Sequence, residues 1–360
     1  MSTVNPLPRH DLVHPDGRAF HFYGELQGTL NGQPSAVDVG DVHLRYDMLT
    51  DTWVAVSPAR NTRPGREIAA CPLCPGGAEL PFAYDAAVFD NRFPALSPEA
   101  RGRCEMVVYT SDHEGSLSTL SPAQVARVVA VWRDRCAALW AQGHDYVMAF
   151  ENHGVEVGAT LSHPHGQIYA LPFLPPATVA KVAAIDQHRR ERAGCLGCEL
   201  VAADAGAGRD VVVNDSFTVA VPFAARWPFE VHVRARRHGC GRLGDLTDGE
   251  AVDLARAIRS VTARYDGLFG RELPYMLCVQ EAPAGSPDWH LHVELLPPHR
   301  DEHRLKIRAS VETALGLFLN DTLPEESAQR LAAVRVDDGS WSGVFVPRID
   351  PIISRACGAG

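Results

Sequence analysis

The chain has 360 residues, with 34 Lys and Arg against 44 Asp and Glu, a formal charge of −10 and a pI near 5.9. Hydrophobic content of 46% and charged content of 22% exclude wholesale disorder, and the acidic balance excludes a general nucleic-acid binder, leaving room for a local pocket for one phosphate. No apolar run approaches membrane-spanning length, and Met1–Pro6 lacks a secretory pattern. The expected setting is therefore the cytoplasm, with neither nucleic acid nor membrane as partner.

In chain order, the signals come in two matching series. After a turn at Asn31–Ser35 the first series opens with Cys71-Pro72-Leu73-Cys74, followed by Asn91-Arg92-Phe93-Pro94 and an apolar segment from Glu105 through Val107 to His113. Ser121 as cap and Pro122 at the first helical position predict a helix, whose buried face is Val125, Val128, Val129, Val131 and Trp132. Tyr146–Phe150 reads as a buried strand, and His163–Ala170 as a strand alternating around its histidines. The second series has Cys195-Leu196-Gly197-Cys198, Ala225–Pro228, and an alternating segment from Glu230 to His238. A helix opening at Asp245 and running through Ala251, Leu254 and Ile258 follows, then strands at Tyr275–Val279 and His290–Leu296. The Gly- and Ala-rich tail from Arg355 is expected to fray.

The spacings agree: Cys74 to His113 is 39 positions and Cys198 to His238 is 40, while His113 to His163 is 50 and His238 to His290 is 52. Four landmarks in one order at matched distances predict a duplication. The fold class is α+β, in two tandem domains of mainly antiparallel strands packed with helices, 1–176 and 177–360, joined near Pro175-Pro176.

Nine cysteines, an odd number, are not a disulfide framework. Cys104, Cys136, Cys240, Cys278 and Cys357 read as inert thiols. A lone CxxC can be a redox dithiol, and one all-thiolate site could join the two pairs. The matched histidines favour two separate tetrahedral zinc sites instead: Cys71, Cys74, His113 and His163, and Cys195, Cys198, His238 and His290. With four protein ligands each, both sites would be structural.

His163-Pro164-His165-Gly166-Gln167 carries the most specific chemistry. Residues two apart on a strand share a face, so His165 and Gln167 are expected to project together. A neutral imidazole is a competent nucleophile toward phosphorus, and an N-linked phosphoryl group suits reversible exchange. Gly166 would let a phosphate approach the backbone, and Gln167 would donate to a phosphoryl oxygen. In the second copy, His290-Leu291-His292-Val293-Glu294, Val293 would block approach and Glu294 would repel a phosphate, so the first copy is the expected catalytic one.

From about Trp53 to Leu331 these residues resemble the galactose-1-phosphate uridylyltransferase family, the duplicated branch of the histidine-triad superfamily. The markers are Trp53–Pro64, Cys71–Cys74, Asn91–Pro94, Phe150-Glu151-Asn152, His163–Gln167 and Trp289–His292, with Lys306 and Glu312 later. The resemblance implies two histidine-triad-like domains. It also implies a ping-pong exchange of UDP-glucose and galactose 1-phosphate for glucose 1-phosphate and UDP-galactose, with UMP carried on His165. Gln167 would hold the phosphoryl oxygens and Arg60 and Arg63 the phosphates. Asn91, Phe93 and Asn152 would lie around the uridine, with Gly158 and Thr160 on the loop leading to the nucleophile. Lys306 and Glu312 would reach the sugar in a partner subunit, which implies a homodimer. Two zinc ions per chain are implied, with iron as an option at the second site. Gln280 stands where many members carry a metal-binding histidine, and Val311 and Phe318 stand where some place a tyrosine and a glutamine on the sugar. The alternative within the superfamily is an ADP-sugar phosphorylase, an adenylyl-transferring relative.

Overall fold

The structure, a computed structural model, describes residues 6–30, 42–62 and 70–352. The turn at Asn31–Ser35, Arg63 and the tail with Cys357 lie outside them. Among the described residues, twelve strands form one sheet.

The first half supplies β1 (Leu7–Val13), β2 (Ala19–Tyr23), a separate hairpin of β3 (His43–Asp47) and β4 (Thr52–Val56), then β5 (Ala86–Asp90) and β6 (Arg103–Val108). Helix α1 (Pro122–Ala141) leads into β7 (Tyr146–His153) and β8 (His165–Leu171). The second half has α2 (Pro176–Arg192), α3 (Leu196–Asp204), β9 (Asp210–Val212), β10 (Phe217–Ala220) and β11 (Val231–Ala235). Helix α4 (Asp248–Leu268), β12 (Tyr275–Gln280), β13 (His292–Leu296), α5 (Ser310–Leu315), α6 (Pro324–Ala333) and β14 (Ile349–Ile352) complete it.

The sheet order is β14-β1-β2-β5-β6-β8-β7-β12-β13-β11-β10-β9. Each half thus contributes the same series, one running β5-β6-β8-β7 and the other β12-β13-β11-β10, so the repeat read in the sequence is visible as a two-fold relation. The join is the antiparallel pairing of β7 with β12, which sets Phe150 opposite Cys278 and Glu151 opposite Leu277. The halves share one sheet, a continuity that strand periodicity cannot reveal, because which strand ends as a neighbour is set by pairing across the molecule. All pairings are antiparallel except β1 with β14.

One face of the sheet carries α1 and α4, which pack on each other and on the strands. Val125, Val128, Val129 and Trp132 of α1, and Ala251, Leu254 and Ile258 of α4, share a core with Val107, Ala149, Ile168, Leu277 and Val293. The start of α1 is as the sequence predicts: the Ser121 side chain accepts from the Gln124 amide and Gln124 returns a bond to the Ser121 amide. Helix α4 starts three residues later than expected. Asp245 ends a short 3-10 turn, and the cap is Thr247, paired reciprocally with Glu250. Strands β8 and β13 begin at His165 and His292, so His163 and His290 stand just before the ladder and not within it.

The four described isolated cysteines have the surroundings of unreactive thiols. Cys104, Cys136 and Cys240 are buried. Burial pushes the thiols up, to about 11 at Cys104 and about 12 at Cys240 and Cys278.

Candidate active site and metal clusters

Two clusters of cysteine and histidine form at corresponding places in the halves. Cys71, Cys74, His113 and His163 bring one donor atom each to within 4.8 Å of one another, and so do Cys195, Cys198, His238 and His290. In the first, Cys74 Sγ lies 3.3 Å from His113 Nδ1 and 3.7 Å from His163 Nδ1, with Cys71 Sγ 3.8 Å from His163 Nδ1. In the second, His290 Nε2 lies 3.4 Å from Cys195 Sγ and 3.5 Å from Cys198 Sγ, and His238 Nδ1 is 3.7 Å from Cys198 Sγ. Bonds of about 2.3 Å to sulfur and 2.0–2.1 Å to nitrogen in a tetrahedron require ligand atoms about 3.5 Å apart, so both clusters fit a metal ion.

The surroundings agree with that use. His163 Nε2 donates to the Thr110 carbonyl at 2.8 Å, and His290 Nδ1 to the Ala235 carbonyl at 2.7 Å, which presents the other nitrogen's lone pair to the thiols. Burial lowers the pKa of both imidazoles and so favours the neutral, ligating form. Gly197, between the second pair of cysteines, lies so near His290 that a Cβ there would meet the ring at 2.3 Å. The knuckle therefore closes onto the imidazole only with glycine between its thiols.

The cluster anchors the start of β8, where the reactive strand begins. His165 Nδ1 donates to the His163 carbonyl at 2.7 Å, which assigns the neutral ring's lone pair to Nε2. His165, Gln167 and Tyr169 alternate with Gly166, Ile168 and Ala170, so the first set faces away from the helices. Two adjoining hollows meet at His165 and Gln167. One is lined also by Arg60, Asn152, Gly158, Thr160 and Tyr169. The other, with Asn91, Phe93 and Thr160, has apolar walls from Leu73, Phe89, Met106 and Leu161. Every expected site residue of the described first half outside the metal clusters thus lines this double cleft. Asn91 ties two of them together, donating to Gln167 Oε1 at 3.3 Å and accepting from the Phe93 amide at 2.9 Å. Arg60 donates to the Phe93 carbonyl at 3.2 Å. Gly158 has φ +86°, which explains glycine on that loop.

Gly166 has a different role from the one expected. A Cβ there would lie 2.3 Å from the Tyr109 hydroxyl and 2.8 Å from the Phe150 carbonyl, both within the protein. Its missing side chain makes room for the buried layer under β8, while the residue itself lines the hollow beside His165 and Gln167. Val293 likewise points into the core and is fully buried, so it blocks no approach. What sets the second copy apart is Glu294 with Lys181 of α2, a partner the sequence did not disclose, both lining a hollow with His292. Lys181 Nζ lies 2.6 Å from Glu294 Oε1 and 3.1 Å from His292 Nε2. His292 Nδ1 donates to the His290 carbonyl at 2.9 Å, as at His165, but its lone pair already meets an ammonium. Burial, then the Lys181 charge, lowers the His292 pKa to about 4.

Lys306 and Glu312 do not line the His165 cleft. They are buried against each other, Nζ to Oε1 at 2.5 Å, and Lys306 also donates to the Leu319 carbonyl. Val311 is partly exposed, and the Phe318 ring lies 4.9 Å from the Arg308 guanidinium. Arg63 lies outside the described residues.

The fold and cleft define a duplicated α+β protein in which a strand-borne imidazole stands beside a Cys2His2 cluster. The chain belongs to the galactose-1-phosphate uridylyltransferase family. The family's N-terminal domain, described as galactose-1-phosphate uridyl transferase, matches residues 97–175, and its C-terminal domain matches residues 185–341. The chain is 41% identical over 320 residues to the galactose-1-phosphate uridylyltransferase of Thermotoga maritima, covering 82% of this chain and 99% of that one. It is 36% identical over 349 residues to that of Streptomyces lividans, covering 89% and 96%. Among solved structures, a uridylyltransferase superposes with a TM-score of 0.75 at 32% identity, covering 81% of this chain and 97% of the other. An ADP-glucose phosphorylase from Arabidopsis thaliana shares the fold, with a TM-score of 0.65 at 24% identity and coverage of 83% and 100%.

Proposed function

We propose that the protein exchanges UDP-glucose and galactose 1-phosphate for glucose 1-phosphate and UDP-galactose through a uridylyl-histidine. The observation that carries this is His165 itself: its Nδ1–H, donated to the His163 carbonyl, directs the Nε2 lone pair's chemistry from a strand pinned at its start. Nε2 attacks the α-phosphorus, forming a P–N bond as the P–O bond to glucose 1-phosphate breaks. A phosphate oxygen of galactose 1-phosphate then attacks the same phosphorus and restores the imidazole. Gln167, held by Asn91, donates to the non-bridging oxygens, and Arg60 offsets phosphate charge. Arg63 is assigned the same duty on its sequence alone. Asn91, Phe93 and Asn152 enclose the nucleoside, and Gly158 and Thr160 shape the wall above the phosphate. Uridylyl transfer is favoured over the adenylyl alternative by the naming of the more identical relatives.

We assign the eight cysteine and histidine residues to two zinc ions, with iron as an option at the second site. The metal in the first cluster would hold His163, and through it the start of β8. We further divide the chain into domains 1–176 and 177–360, place it in the cytoplasm, and propose a homodimer. No described helix is long and apolar enough to cross a membrane. The dimer reading is supported by the exposed Ile307, Leu315, Leu317, Leu319 and Leu323 around the Lys306–Glu312 pair, which would carry that segment toward a partner's cleft.

Intact-protein mass after mixing with UDP-glucose tests the reading. The expected gain is one UMP, reversed by galactose 1-phosphate and absent in a folded His165→Asn variant. A gain of AMP from ADP-glucose in its place would select the phosphorylase reading, and turnover retained by His165→Asn would remove His165 from the mechanism.

A further inference from the structure

Beneath the catalytic strand lies a buried polar cluster that the chemistry above does not use. Its centre is Glu151 on β7, 3% exposed, between Tyr109 and Tyr275, which belong to the core shared with α1 and α4. Glu151 Oε2 accepts from the Tyr109 hydroxyl at 3.2 Å, and Oε1 accepts from the Tyr275 hydroxyl of β12 at 3.2 Å. His153 Nδ1 lies 3.5 Å from Oε1, and its Nε2 is 3.0 Å from Glu272 Oε1. A buried carboxylate is a poor choice for stability alone, because taking the charge out of water is costly unless every lone pair is matched. Here the matching groups come from both halves of the molecule.

The geometry links this cluster to His165 in two steps. Tyr109 follows β6, and its amide donates to the Pro164 carbonyl at 3.1 Å, so its backbone is fixed against the residue before the nucleophile. Its hydroxyl then rises to the residue after the nucleophile, where a Cβ on Gly166 would lie only 2.3 Å away. At that end the hydroxyl donates to Glu151. On the other side of β7, Asn152 faces the cleft.

We propose that Glu151 is a positioning residue: by holding the Tyr109 hydroxyl under Gly166 it sets where His165 stands on β8, and through Tyr275 it ties that position to the second half. This rests on His165 being the nucleophile. The effect is expected in the chemical step, because an imidazole misplaced by about 1 Å from an in-line approach loses rate by about a hundredfold while nucleotide contacts on the cleft walls persist.

Glu151→Gln and Tyr109→Phe, which keep the side-chain shapes, test it with single-turnover formation of the UMP adduct. Each is expected to slow adduct formation about 10–100-fold, with the Kd for UMP changed less than about threefold and metal content unchanged. The double variant is expected to be no slower than the slower single, since both act through one contact. Losses that multiply, a UMP Kd that rises in step with the lost rate, or singles as fast as the unmodified protein would each overturn the proposal. If Glu151→Gln does not fold, Tyr109→Phe alone decides by the same rate-against-Kd comparison. An unmodified protein that forms no UMP adduct would overturn both this and the uridylyl reading, whereas a normal adduct with unaffected variants overturns this one only.

Discussion

At the scale of single residues, the two HxH strands show how equal backbones acquire unequal chemistry. His165 and His292 both donate Nδ1–H to the carbonyl two residues upstream, at 2.7 and 2.9 Å. They differ in their surroundings: His165 lines the cleft with Arg60 and Gln167, whereas the Lys181 ammonium lies 3.1 Å from His292 Nε2. Lys181→Met should leave Glu294, 9% exposed at its side chain, without its 2.6 Å partner. Removing one member of a buried pair costs roughly 3–5 kcal/mol, and partial exposure of Lys181 and the nearby Arg226 place this case at or below the lower end. Urea unfolding would read the loss, and Lys181→Met with Glu294→Gln should recover most of it. A single variant as stable as the parent would mean that the pair does not hold α2 to the sheet.

At the scale of elements, α1 is written locally and α4 less so. Ser121 and Gln124 form a reciprocal cap, and all five apolar residues read as its buried face, Trp132 among them, are wholly or almost wholly buried. Ser121→Ala should cost about 1 kcal/mol, seen as a shifted urea midpoint at constant m. No shift would show that packing of Trp132 and its neighbours holds the helix start without the cap. At α4, Asp245 has the chemistry of a cap but is drawn into the preceding turn, where its carboxylate accepts from the Gly241 and Arg242 amides at 3.0 and 2.8 Å. Thr247, two residues on, caps the helix with Glu250 in its place.

At the scale of the whole molecule, metal ions and one half-buried histidine should govern stability. Cys195→Ser should lower the metal content by one ion per chain and lower the Tm, with transfer retained below the new Tm, because that cluster lies in the half whose histidine is masked. Both ions retained in the variant would break the ligand assignment. For pH, burial opposes the charged form of His153, but the Glu151 and Glu272 contacts outweigh it and raise its pKa to about 10. A folded-state pKa above the unfolded value means stabilisation that is complete below about pH 6.5 and lost as pH rises toward 10. The Tm of the unmodified protein should therefore fall from pH 7 to 10 more steeply than that of His153→Gln; parallel curves would show that His153 contributes nothing to the alkaline limb.

The duplication, the gathering of both Cys2His2 clusters and that of Arg60, Asn91, Phe93, Asn152, Gly158, Thr160, His165 and Gln167 were legible in the chain by itself. These features depend on residue type and spacing along the chain, or on the family resemblance its motifs carry, and side chains two apart on a strand must share a face. The twelve-strand continuity through β7 and β12 was not legible, nor were Lys181 over His292, the Glu151-bound Tyr109 hydroxyl under Gly166 and the pairing of Lys306 with Glu312. All but the last join segments far apart in the chain, the last joins an irregular segment to α5, and a one-letter string does not say which side chains turn to the core. Gly166 shows the difference most sharply: its position beside the nucleophile suggested room for substrate, whereas packing assigned that room to the Tyr109 hydroxyl.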